Sequence, residues 1–146
     1  MELELKTKLA IYEHFAATGR RPSVEEVAAR VDTSVSQVRE QFERLRARRV
    51  LVLEGDGESI RMAPPFSGVP TQHRVHAGGV SYFANCAWDA LGIPAALHTS
   101  ATVSSRCEQS HEPLELQVTA QGPEYSDWLF HCVVPASQWW DDIVFT

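Results

Sequence analysis

Two serine-initiated segments, eleven residues apart, constrain the fold of this chain more than any other feature of its sequence. Ser23-Val-Glu-Glu26 and Ser34-Val-Ser-Gln37 both place a serine three residues before Glu or Gln, which is the capping-box pattern of a helix N-terminus. The first predicts a short helix that ends at Val31. The second predicts a helix with an apolar face made of Val35, Val38, Phe42 and Leu45. With a tight turn at Asp32-Thr33 between them, the two segments predict a helix-turn-helix.

A further helix and a hairpin flank these two helices. Apolar residues repeat at helical spacing near the N-terminus, which predicts a helix from Glu2 to Thr18 with Gly19 as its stop. After the third helix, Val50–Leu53 and Ser59–Met62 flank a Gly-rich tip and predict a β-hairpin. The order helix, helix, helix, hairpin is typical of a winged helix-turn-helix domain.

The third helix of such a domain often binds DNA. Its predicted exposed face holds Ser36, Gln37, Arg39, Gln41 and Arg44. The charge argues against this function, because DNA affinity depends on a basic surface and Glu40 and Glu43 interrupt the arginines. Arg46, Arg48 and Arg49 could still contact phosphate. We nevertheless favour a winged-helix fold that serves as a scaffold or interface, and nucleic acid is not an expected partner.

The distribution of charge indicates where the chain changes character. Residues 1–66 hold 11 Lys and Arg against 11 Asp and Glu, whereas residues 67–146 hold 2 against 8. Pro64-Pro65 lies at this change, where a stiff linker is expected. We therefore predict a winged-helix-like domain over residues 1–65 and a second domain over residues 66–146.

The second domain is predicted to be mostly β-sheet. Its predicted strands are His73–Ala77, Ala101–Cys107, Leu114–Thr119 and Trp128–Val134. Between the first two lies a predicted short helix from Asn85 to Leu91, stopped by Gly92 and Pro94. The predicted fold class is α+β: a helical N-terminal domain, then a mixed or antiparallel sheet domain whose short helix carries a Cys-x-x-Asp motif.

Composition narrows the setting in which the chain acts. It is 44% hydrophobic over 146 residues, enough to bury a core, and no stretch approaches the length of a membrane span. The charged N-terminus does not resemble a signal peptide. Three cysteines without regular spacing favour reduced thiols. These features predict a soluble, cytoplasmic protein without a membrane partner.

Cys86 and Asp89 are the candidate site residues, because they stand three apart in the apolar run S-Y-F-A-N-C-A-W-D-A-L-G-I-P. In the first turn of a helix, Cys86 would have its thiolate stabilised and its pKa lowered. Asp89 would project from nearly the same face and oppose that effect by charge repulsion. The pair therefore suits a proton or a soft metal cation held between its members. The alternative is a buried cysteine beside a solvated aspartate.

His73 and His76 raise the question of a zinc site near these residues. Residues three apart on a strand point to opposite faces, so the two histidines are not expected to share a metal ion.

The segment Y-F-A-N-C-A-W-D-A-L-G-I-P-A-A-L, followed by A-T-V-S-S-R-C at Ala101–Cys107, resembles the core of the organomercurial (alkylmercury) lyases, the bacterial MerB family. The resemblance covers residues 66–146, and a preceding winged-helix domain fits the family. It implies cleavage of R–Hg(+) by protonolysis to R–H and Hg(II), as part of mercury detoxification and without an organic cofactor. It also implies that an external thiol removes the product, with Hg(II) passed to a thiol or to a mercuric reductase.

The same resemblance implies roles for individual residues. Cys86 and Asp89 match the family's first catalytic cysteine and its aspartate, and both would contact mercury, while Cys107 matches a structural cysteine. The family's second catalytic cysteine follows the segment that resembles W-W-D-D-I-V-F-T, so the catalytic domain is expected to be truncated at its C-terminus. Cys132 is a candidate substitute that does not match that position.

Two functions follow from these comparisons of residues. The first is an organomercurial lyase, which as a 146-residue chain would bind mercurials with slow or absent turnover because only one catalytic thiol matches the family pattern. The alternative is a winged-helix transcriptional regulator, or a soft-metal or mercurial-binding sensor that does not turn its ligand over.

Overall fold

The computed structural model describes residues 2–146 and begins with three helices. They are α1 (Leu3–Thr18), α2 (Val24–Val31) and α3 (Val35–Ala47). Both predicted capping boxes form: the hydroxyl of Ser23 accepts from the backbone N–H of Glu26, and Ser34 does the same with Gln37. The three sequence-predicted helices are therefore confirmed.

A three-stranded antiparallel sheet follows the helices. It contains β1 (Val52–Leu53), β2 (Ile60–Ala63) and β3 (Phe66–Ser67), in that order. Pro64-Pro65 forms the turn of the β2–β3 hairpin and is not an extended linker. Strand β3, which completes this sheet, begins at Phe66, just after the predicted domain boundary. The division into domains at residue 65 stays a prediction.

The second sheet has five antiparallel strands in the order β5-β4-β6-β7-β8. Its strands are β4 (Arg74–Ala77), β5 (Val80–Phe83), β6 (Ala101–Arg106), β7 (Pro113–Thr119) and β8 (Gly122–Pro123). Helix α4 (Ala87–Leu97) lies between β5 and β6 in sequence and packs on β4, β6 and β7. The chain is thus α+β, with a helical N-terminal region followed by antiparallel sheets.

Two sequence-based expectations for this second part were wrong: the end of the short helix and the strand Trp128–Val134. Helix α4 continues to Leu97 and includes Gly92 and Pro94, because burial of its apolar side chains against the sheet outweighs the backbone hydrogen bond that proline lacks. Strand β4 ends at Ala77, and Gly78-Gly79 forms the turn into β5, a strand that the sequence analysis did not identify.

The segment Trp128–Val134 does not form the predicted strand. Its alternating apolar side chains lie largely in solvent, with Leu129 90% and Val133 74% exposed. Within residues 2–146 no neighbouring strand pairs with the segment, so there is no sheet against which its apolar side chains could be buried. The residues after it form a short 3₁₀ helix, Ala136–Asp141.

Phe66 joins the helices to the second sheet through an aromatic cluster. Its ring stacks on Phe15 of α1, with centroids 5.3 Å apart, and is tilted against Tyr82 of β5 at 5.6 Å. The hydroxyl of Tyr82 donates to the backbone carbonyl of Ala16 at 2.5 Å. These residues belong to one hydrophobic core that runs through both parts of the chain.

Gly19 permits the close approach of α1 to β5. It ends α1 in the left-handed conformation, with φ of 71°. A Cβ atom at this position would lie 2.0 Å from the carbonyl oxygen of Ser81, so glycine is required by both conformation and space.

None of the helices described here combines the length and the apolar character that a membrane-spanning segment needs.

Candidate active site

Cys86 lies at the N-cap of helix α4. Its backbone is extended, and its sulfur accepts a long hydrogen bond from the backbone N–H of Asp89 at 3.5 Å. The side chain therefore occupies the capping place that serine holds in α2 and α3. Just before it, the hydroxyl of Thr71 donates to the carbonyl of Ala84 at 2.6 Å and ties the entry to the helix to the rest of the fold.

Asp89 lies in the first turn of α4, half-buried, and Asn85 holds its carboxylate. The side-chain amide of Asn85 donates to Asp89 Oδ2 at 2.9 Å and to the backbone carbonyl of Phe66 at 3.2 Å. The amide oxygen of Asn85 is buried and has no hydrogen-bond partner within residues 2–146. The spacing of Cys86 and Asp89 thus brings them together on one turn, and Asn85 is a further member that the sequence analysis did not identify.

Burial dominates the electrostatics of the pair. It raises the pKa of the Cys86 thiol, more than the backbone N–H groups of Asp89 and Trp88 lower it, and the negative charge of Asp89 adds to the rise. The predicted lowering of the thiol pKa by the helix N-terminus is therefore wrong, because desolvation of the charged form outweighs it. Burial also raises the pKa of Asp89, and the hydrogen bond from Asn85 opposes this.

The N-terminal helix reaches this site through Tyr12. Burial, followed by the negative charge of Asp89, raises the pKa of Tyr12 to about 12, so the phenol stays protonated at neutral pH. Its hydroxyl donates to the carbonyl of Pro64 at 3.1 Å. The charge of Asp89 therefore acts on a phenol of the N-terminal helix whose hydroxyl is bonded to the backbone.

The family of the chain follows from a comparison with known proteins. The model of the MerB family, described as alkylmercury lyase, matches residues 66–146, which is more than half of the chain and includes Cys86 and Asp89. The chain belongs to the alkylmercury lyase family. A second family model, sigma-70 region 3, matches residues 2–57.

A solved structure has the same fold as this alkylmercury lyase family member. It is the crystal structure of the mercury-bound form of MerB2, with a TM-score of 0.65 and 23% sequence identity. The alignment covers 84% of this chain, and the chain spans only 60% of the length of that protein. A comparison with curated proteins gave no match.

Cys132 is distant in sequence from Cys86 but lies close to it in this alkylmercury lyase family member. The ring of Phe130 packs on Trp88 of α4, with centroids 5.8 Å apart, and brings the exposed Cys132 close enough for its charge to add to the rise in the pKa of Cys86. The sequence analysis named Cys132 as a candidate substitute for the second thiol, but it placed Cys132 on a strand that does not form.

The remaining candidates lie elsewhere. Cys107 was predicted to be the last residue of a strand, but β6 ends at Arg106 and Cys107 lies in the loop after it, outside the hydrophobic core. His73 is buried and pairs with the hydroxyl of Ser105 at 2.7 Å, whereas His76 is exposed on the opposite face, as predicted. Within residues 2–146, no group of three or more His, Cys, Asp or Glu side chains could hold a metal ion.

The two half-buried thiols are expected to differ in reactivity. Hydrogen bonds from the side chain and backbone of Ser110 and from the backbone of Gln109 lower the pKa of Cys107, while burial raises that of Cys86. Because the thiolate is the nucleophile, iodoacetamide at neutral pH should modify Cys107 before Cys86. Peptide mass spectrometry over time would measure both rates. The difference should vanish in the urea-unfolded chain, and faster modification of Cys86 in the folded chain would contradict the assignment.

Proposed function

We propose that this chain is an organomercurial lyase that cleaves the carbon–mercury bond of R–Hg(+) to give R–H and Hg(II). Cys86 supplies the thiolate that binds mercury, and Asp89 carries the proton. One observation carries the proposal: Cys86 and Asp89 share the first turn of a half-buried helix inside the segment that matches the alkylmercury lyase family.

The proposed reaction begins with binding of R–Hg(+) by Cys86. Mercury is a soft cation that prefers sulfur, so the sulfur–mercury bond forms while the thiol proton passes to the carboxylate of Asp89. Asp89 then delivers this proton to the carbon. The electron pair of the carbon–mercury bond becomes the pair of the new carbon–hydrogen bond, and mercury remains as Hg(II) on the sulfur. No electrons are gained or lost by the protein.

The surroundings of Asp89 suit this role. A carboxyl group that only accepts a proton transiently benefits from a pKa above its usual range, and burial raises the pKa of Asp89 in that direction. Mercury itself compensates for the raised pKa of Cys86, because a bound cation stabilises the thiolate.

For the first part of the chain we propose a winged-helix fold that acts as a scaffold and not as a DNA-binding surface. Support comes from the arginines, several of which are paired with acidic side chains. Arg39 lies 2.6 Å from Glu58, Arg46 lies 2.9 Å from Glu43, and Arg48 lies 2.7 Å from Glu4. Paired arginines have less charge to offer to phosphate. The proposed partners are a small organomercurial and an external thiol, or a mercuric reductase, that takes Hg(II).

The test of the lyase is the release of benzene from phenylmercury. Chain and phenylmercury are mixed in equal amounts, an excess of a small thiol is added, and benzene in the headspace is followed by gas chromatography. We expect slow release that the Cys86→Ser variant lacks. Before thiol is added, mass spectrometry should find the phenylmercury adduct on Cys86.

Two results would contradict the proposal. An adduct confined to Cys107 or Cys132 would refute the role of Cys86. Benzene release no faster than in the Cys86→Ser variant, with the adduct retained on Cys86, would identify a mercurial-binding protein without lyase activity.

A further inference from the structure

Asn85 makes polar contacts beside the candidate site that stability alone does not explain. Its amide nitrogen makes two hydrogen bonds, to Asp89 Oδ2 at 2.9 Å and to the carbonyl of Phe66 at 3.2 Å. Both partners are oxygen acceptors, so the NH₂ group, and not the amide oxygen, must face them. The orientation of this side chain is thus fixed by chemistry.

The amide oxygen of Asn85 is left buried without a partner within residues 2–146. A buried acceptor without a donor costs stability. An apolar side chain of similar size would avoid this cost but would remove the donor to Asp89. Asparagine at this position therefore costs stability at its amide oxygen but provides an NH₂ group that donates to Asp89 and to Phe66.

We propose that Asn85 is a positioning residue for the proton-carrying carboxyl group of Asp89. Its donor occupies Oδ2 and leaves Oδ1 as the oxygen that takes the thiol proton and delivers it to carbon. The charge of Asp89 also contributes to the raised pKa of Tyr12. The hydroxyl of Tyr12 cannot orient the carboxyl group of Asp89, because it donates to the carbonyl of Pro64. This inference rests on the proposed lyase function.

The second hydrogen bond of Asn85 extends the inference to the first sheet. Phe66 belongs to β3, so one amide group ties the carboxyl of Asp89 to the backbone of a strand in the other sheet. The direction of the carboxyl therefore depends on how the N-terminal part packs against helix α4. A displacement of a reacting group by about 1 Å can slow a reaction by about 100-fold.

The kinetic test separates release from binding. Asn85→Leu has nearly the same size but no donor, and it should form the phenylmercury adduct on Cys86 in the normal amount while releasing benzene about 10- to 100-fold more slowly. Ser105→Ala is the control, because it removes a side-chain hydrogen bond, the one between Ser105 and His73, that involves neither Asn85 nor Asp89. We expect it to lower stability and to leave release unchanged. Equal slowing in both variants, or normal release in Asn85→Leu, would overturn the proposal.

A spectroscopic test does not depend on activity. Asn85 is the only asparagine in the chain, so labelling with ¹⁵N-asparagine gives a single side-chain amide signal pair in an NMR spectrum. Both amide protons should exchange slowly with water, and in Asp89→Ala one of them should exchange faster while the other, bonded to Phe66, stays protected. Fast exchange of both protons in the unmodified chain would overturn the proposed contacts. Absence of benzene from a chain with both protons protected would instead refute the lyase function and, with it, the role of Asn85 in release.

Discussion

Asp89→Asn is expected to bind phenylmercury on Cys86 as the unmodified chain does, but to release benzene about 10²- to 10⁴-fold more slowly. Asparagine keeps the size of the side chain, and its amide oxygen can still accept the hydrogen bond from Asn85. It cannot take the thiol proton and return it to carbon. The loss should therefore fall on the step after binding. Adduct formation measured by mass spectrometry and headspace benzene measured over time separate the two steps.

The control for this variant is Asp127→Asn. Asp127 is an exposed aspartate whose side chain accepts from the hydroxyl of Tyr125, and it lies outside the site. The same loss of charge there should leave both binding and release unchanged. If Asp89→Asn released benzene at the normal rate, another group would have to supply the proton and the assignment of Asp89 would be wrong.

Phe66→Ala is expected to lower the free energy of unfolding by about 3–5 kcal/mol, the usual cost of removing a buried phenylalanine side chain. The ring is 3% exposed and contacts aromatic side chains from both parts of the chain. The cavity left by the ring cannot close easily, because the side chains around it are held by helix α1 and strand β5. Urea unfolding followed by tryptophan fluorescence would measure the change.

Phe145→Ala serves as the comparison for this stability measurement. Phe145 is 71% exposed, so its removal should change the free energy of unfolding by no more than about 0.5 kcal/mol. A loss below about 1 kcal/mol for Phe66→Ala would show that the aromatic cluster contributes little to the packing of the two parts.

Local sequence patterns were sufficient to predict the three N-terminal helices and the position of the two candidate site residues on one helical turn. Capping boxes at Ser23 and Ser34 depend on side chains only three residues away, and the structure forms both. Cys86 and Asp89 share a helical turn for the same reason, since their spacing alone brings them together once a helix begins there.

The features that the sequence did not predict depend on contacts between residues that are distant along the chain. The direction of the Cys86 pKa follows from burial, which is created by packing that no local pattern encodes. The hydrogen bond from Asn85 to Phe66 crosses 19 positions and joins the start of helix α4 to the first sheet. The error at Trp128–Val134 has the same origin, because an alternating segment forms a strand only where another strand is available to pair with it.

The aromatic cluster around Phe66 couples two equilibria: the detachment of helix α1 from the rest of the chain and the binding of a ligand at the candidate site. Helix α1 is held to β5 by the bond from Tyr82 to Ala16 and by the stacking of Phe15 on Phe66, while the carbonyl of Phe66 holds Asn85 beside the carboxyl of Asp89. Detachment of α1 therefore disturbs the site from a distance. By mass action, a ligand that binds only the intact site must shift the population toward chains in which α1 is attached. The N-terminal helix would thus act thermodynamically as part of the proposed mercury site, even though it contributes no sulfur ligand.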